Sequence, residues 1–165
     1  MITISPVDLL VRVASATVGA SEVPANTNAG PYVERVLART GTAKGNPWCA
    51  AWVTDVGVTA LGDAWPIPHT ASVQNMAEWA QTQGCRYLAL SPQVGDVFVL
   101  WFPALKRYAH TGIVTGVNGK GAVTTVEGNT SGGGSRDGWL VAARTRTLGK
   151  MDRLIRWTEV VSPTP

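Results

Sequence analysis

Cysteine is scarce in this chain, with Cys49 and Cys85 alone among 165 residues. A secreted scaffold stapled by disulfides carries more, so packing must hold the fold. Histidine is equally scarce. His69 and His110 stand far apart and without zinc-ligand spacing, so no metal and no cofactor is expected. No run of about 18 uncharged apolar residues occurs, which argues against a spanning helix and against integral membrane contact. Charged residues make up only 15% against 45% hydrophobic. That balance excludes a disordered tail, a coiled coil and a collagen-like rod. Walker-type and dinucleotide motifs are absent. No Lys/Arg cluster with interleaved aromatics appears, so nucleic acid is not an expected partner. The N-terminus lacks the basic-then-apolar order of a secretory signal, because Asp8 and Arg12 interrupt its apolar run.

What is present fits one compact domain over residues 1–165, expected to be a monomer. The net charge of +3 suits an anionic target, or plain solubility. Four helices are predicted first. Ser5-Pro6-Val7-Asp8 starts one, with Gly19 as its stop; Pro31 to Thr40 is the second. Asn46-Pro47 opens a third running to about Leu61, and Thr70 to Gln83 is the fourth. Strands follow at Tyr87–Leu90, Val97–Trp101, His110–Val117, Ala122–Glu127, Trp139–Arg144 and Leu154–Val161. Gly132–Gly134 reads as a flexible loop and residues 162–165 as a tail. Helices first and antiparallel strands second make the class α+β.

The segment Asn46-Pro47-Trp48-Cys49-Ala50-Ala51-Trp52 is the most informative. With Asn46 as cap, Cys49 is the third helical residue, inside the first turn, where free N–H groups and the dipole favour an anion. The thiolate is the nucleophilic form of cysteine. The dipole supplies only ~0.3–1 kcal/mol, less than the 1.36 kcal/mol of one pKa unit. An imidazolium partner must supply the rest. The competing reading is a small buried apolar residue, and that is the reading for Cys85, which has no helix start behind it.

His69 lies in the rigid turn Trp65-Pro66-Ile67-Pro68-His69-Thr70 and reads as structural. His110 begins a predicted strand whose hairpin partner ends Val126-Glu127-Gly128-Asn129. A two-residue turn at Asn118-Gly119 sets His110 opposite Glu127. A turn at Gly119-Lys120 sets His110 opposite Asn129 and Gly112 opposite Glu127. Strand side chains alternate with period two, so both registers put His110, Glu127 and Asn129 on one face. A three-residue loop would send Glu127 to the other face. A carboxylate beside the imidazole can accept one ring N–H and orient the other nitrogen. The alternative is a surface ion pair of little consequence.

Taken in order, Trp48-Cys49-Ala50-Ala51-Trp52, Gly95-Asp96-Val97-Phe98-Val99, Tyr108-Ala109-His110-Thr111-Gly112-Ile113-Val114 and Glu127-Gly128-Asn129 resemble the CHAP family of cysteine, histidine-dependent amidohydrolases/peptidases, relatives of the NlpC/P60 group. The run from Ala20 to Gly30 resembles a subgroup common among phage proteins. The resemblance spans roughly residues 7 to 160 and implies a papain-like fold that cleaves amide or peptide bonds in bacterial peptidoglycan. It implies Cys49 as nucleophile, His110 as general base, Glu127 as orienting acid and Asn129 as a further polar group. Asn46 is a candidate oxyanion donor, and Trp48 and Trp52 are candidates for a substrate groove. Some members carry a calcium-binding, Asp-rich loop before the nucleophile; residues 41–46 here hold no carboxylate, so no calcium is expected. At this length no separate wall-binding domain is expected. The absence of a signal fits a protein made in the cytoplasm that reaches the cell wall as an endolysin by holin-type release, as a virion-associated lysin, or through a secretion machine. A non-catalytic wall-binding module and a thiol acyltransferase on the same fold are the rival readings.

Overall fold

The computed structural model describes residues 4–83, 86–88, 91–119, 121–131 and 137–159. The readings of Cys85, Gly132–Gly134 and the tail at 162–165 lie outside the described residues. Helix α1 (Pro6–Ala16) starts at Ser5, whose hydroxyl accepts the Asp8 N–H at 3.0 Å. Helix α2 (Pro31–Ala38) opens on proline, and α4 (Val73–Thr82) is capped by Ser72. Helix α3 (Cys49–Leu61) differs from these amphipathic elements. Every residue from Cys49 to Gly57 is buried, as expected of a mostly apolar helix, and its one carboxylate, Asp55, is held by Arg35 and Arg39. It packs against α1 and α2 on one side and against the sheet on the other. No helix among the described residues is long and apolar enough to cross a membrane.

Among the described residues six antiparallel strands follow: β1 (Arg86–Leu88), β2 (Val97–Phe102), β3 (Arg107–Val117), β4 (Ala122–Thr130), β5 (Leu140–Thr147) and β6 (Arg153–Arg156). Their order is β1-β6-β2-β3-β4-β5. The fold is therefore α+β, consistent with a papain-like domain. One face of the sheet contributes Val97, Val99, Ile113, Val126 and Val141 to the main core with α3. The other carries a smaller cluster of Phe98, Val114, Val123 and Leu154.

The β3–β4 hairpin departs from both two-residue registers. Val117 faces Val123, and the Asn118 N–H donates to the Ala122 carbonyl at 2.9 Å, so residues 119–121 make a three-residue connection. By itself that connection would put Glu127 on the wrong face. A bulge corrects it. The ladder shifts between Val114 and Gly116, leaving Thr115 as the extra residue, and Ile113 then faces Val126. Gly112 is thereby opposite Glu127, on the face that also holds His110. A second irregularity falls between Glu127 and Thr130. There Asn129 takes a left-handed φ of 55°, outside the extended conformation that simple alternation assumes.

Candidate active site

The structure brings His110 and Glu127 together. His110 Nε2 and Glu127 Oε2 are 2.7 Å apart, and both residues are fully buried. The neighbouring glycine makes the space. A Cβ on Gly112 would lie 2.7 Å from Glu127 Cγ and 2.8 Å from the Phe98 ring. Gly112→Ala is therefore expected to displace the carboxylate and cost ~1–3 kcal/mol by overpacking. A thermal melt and a hydrolysis assay check this; an active variant with unchanged melting would refute the packing argument.

The carboxylate of Glu127 is saturated with donors. Thr125 Oγ1 donates at 2.6 Å, Arg146 Nη2 donates at 2.6 Å, and Arg146 Nε donates to the other oxygen. Burial alone would raise the Glu127 pKa. Arg146 and His110 overcome it and hold the group at about 2. Glu127 is thus a fixed anion. Burial likewise disfavours the His110 cation, but Cys49 and Glu127 override it and raise the imidazole to about 9. With Nε2 on Glu127, His110 Nδ1 is the nitrogen left for Cys49. That nitrogen is buried and has no hydrogen-bond partner among the described residues.

Cys49 opens α3, two positions nearer the helix start than the expected Asn46 cap would place it. Asn46 does not cap the helix. Its Nδ2 donates to the Ala43 carbonyl at 2.9 Å, and the cap residue is Trp48, with no side-chain cap bond. The start of α3 is held from outside instead. The Trp48 N–H donates to Asn129 Oδ1 at 3.2 Å, while Asn129 Nδ2 donates to the Gly138 carbonyl and to Asn28 Oδ1. Asn129 therefore braces the start of α3, and its amide donors are engaged by Gly138 and Asn28. Glu22 braces it too. Buried in the loop after α1, it accepts from Trp48 Nε1 at 2.8 Å and from the N–H groups of Thr27 and Asn28. At the same contact Gly128 lets β4 approach α3, since a Cβ there would meet the Trp52 Cβ at 2.7 Å.

Trp48 and Trp52 are not groove residues. Both are fully buried, and Trp52 Nε1 donates to Thr17 Oγ1 at 3.1 Å. Their rings are part of the main core that α3 builds with the sheet. The open space lies elsewhere. Cys49, 3% exposed, lines a cleft of about 390 Å³. One wall is formed by Thr40, Thr42, Asn46 and Pro47, a second by residues 69–73, and a third by residues 107–109. His69, read from the sequence as a turn residue, belongs to this cleft. Arg146 and Glu22 were missed by the sequence reading. An arginine alternating on a C-terminal strand carries no local sign that it will meet a carboxylate 19 residues away.

The family model described as CHAP domain matches residues 41–129. That span contains Cys49, His110, Glu127 and Asn129 and ends before Arg146. No curated protein matches the chain. Solved structures do, among them one described as the crystal structure of Ly7917, with a TM-score of 0.50 and 20% identity. The alignment covers 92% of this chain and 62% of that one, a likeness of fold.

Proposed function

The chain belongs to the CHAP family, the cysteine amidohydrolase/peptidase domain of peptidoglycan hydrolases, and on that premise we propose that it cleaves an amide or peptide bond of peptidoglycan by a Cys49–His110–Glu127 thiol mechanism. One observation supports this above the rest: a thiol at a helix start lines an open cleft and is coupled to a histidine that a buried carboxylate orients. In this reading His110 holds the proton of Cys49. The sulfur attacks the scissile carbonyl carbon, and the developing oxyanion accepts from the Cys49 N–H, which has no acceptor within its helix. Asn46 beside it lines the cleft and keeps one amide hydrogen for the same oxygen. The imidazolium then protonates the leaving amine. Water, deprotonated by His110, releases the acyl group from sulfur. Arg146 keeps Glu127 ionised throughout, so that carboxylate orients the ring and does not move protons. The setting is that of a lysin, free or carried on a virion, and the +3 charge suits an anionic wall.

Digestion of purified peptidoglycan followed by mass spectrometry tests the proposal. New free amines paired with new carboxyls are expected, without new reducing sugar ends. The fragments distinguish an N-acetylmuramoyl–alanine amidase from a stem or cross-bridge endopeptidase. Products carrying an acceptor amine would indicate acyl transfer, and wall binding without new amines would end the hydrolase reading.

A further inference from the structure

The charge of the cleft is one-sided. Among its lining residues Arg107 carries a permanent charge, His69 a titratable one, and none is a carboxylate. Thr40, Thr42, Thr70 and Ser72 add hydroxyl groups. Arg107 and His69 are both exposed, and no described residue bonds or ion-pairs with either side chain. Arg35, Arg39, Arg146 and Arg156, in contrast, are each engaged by an Asp or Glu. A guanidinium is a planar fork whose best partner is another planar group with two oxygens. Arg107 opens β3, and His110 follows on the same strand. Ala109 between them is the extra residue of a bulge, so at a rise of about 3.3 Å per residue their Cα atoms are at most roughly 10 Å apart. About three residues of an extended peptide cover that span.

We infer that Arg107 and His69 form a subsite that takes a free carboxylate of the substrate peptide, about three residues from the bond that Cys49 attacks. This rests on the proposed hydrolase reading for the bond, whereas the charge preference can be measured without turnover. Two preparations of the same peptidoglycan serve as substrates, one with free peptide carboxylates and one with them converted to amides. Wild-type kcat/KM is expected to favour the free acid about tenfold, the size of one charged hydrogen bond. In Arg107→Gln the ratio falls toward one, mainly through KM, and Arg107→Lys retains an intermediate preference because it keeps charge without the fork. Equal hydrolysis of both preparations by the wild type overturns the subsite, as does an unchanged ratio in Arg107→Gln. Calorimetric titration of Cys49→Ala protein with soluble wall peptides in the same two forms separates the two readings. A free-acid preference that depends on Arg107, without hydrolysis by the wild type, removes only the hydrolase reading. Binding indifferent to the carboxylate removes the subsite.

Discussion

Replacing Cys49 with alanine is expected to lower amine release from peptidoglycan by ~10³-fold or more, because a thiol has no substitute within a helix start. The fold should survive. The residue is buried at the start of α3, and loss of one sulfur costs only about 1 kcal/mol, whereas Trp48 remains pinned by Asn129 and Glu22. The same variant should lose the raising influence of Cys49 on His110, since the thiol is the first of the groups that lift that imidazole against burial. An NMR titration of the His110 ring in wild type and Cys49→Ala reads this directly. A lower midpoint is expected in the variant. Retained clearing of wall suspensions by Cys49→Ala would end the mechanism outright.

Glu127→Gln should lower the rate by ~10²–10⁴-fold and also destabilise the protein. Removing one member of a buried pair costs about 3 kcal/mol or more, because Arg146 then keeps its charge without a partner. The pH dependence should change with it. Glu127 is held at about 2 in the fold against 4.5, so its contribution is present above 4.5 and lost as pH falls through about 2. His110 is raised from 6.5 to about 9, so its contribution is present below 6.5 and lost as pH rises through about 9. Thermal melts of the wild type should therefore fall toward both extremes. Those of Glu127→Gln should be flatter at the acid end, where the wild type loses its carboxylate. Burial then dominates His110, and the alkaline limb of kcat/KM should move to lower pH. A pH–rate profile with the same alkaline limb in both proteins would show that Glu127 does not set the imidazole.

The elements and the grouping of Cys49, His110 and Glu127 were legible because each rests on a short-range pattern. Helix starts follow from Ser5 and Pro31, and strands from alternation, and the chemistry-bearing residues are so few that one thiol and one imidazole had to be paired. The hairpin shows where that legibility stops. Period two predicted the shared face of His110 and Glu127, but through a two-residue turn that the chain does not use. The observed face depends on a bulge at Thr115, and no residue type announces a bulge there. Trp48 and Trp52 were misplaced for a related reason. Proximity in sequence to Cys49 suggested a groove, whereas α3 is enclosed on every side through Gly57. Asn46 looked like a cap because Asn before Pro commonly is one, but the backbone delays the helix to Cys49 and the side chain bonds back to Ala43. Arg146 and Glu22 act across the fold, and only the closed sheet and the loop packed on α3 bring them into place.

The extra residue in β3 ties two distant things together. Because Asn118 stays opposite Ala122, a residue lost from the tip between them leaves the shift at Thr115, and with it the shared face of His110 and Glu127, unchanged, whereas a residue gained or lost in β3 between His110 and Thr115 turns the imidazole to the opposite face. Loop exchange at this tip is thus tolerant of length, and the stretch of strand between the bulge and the imidazole is not.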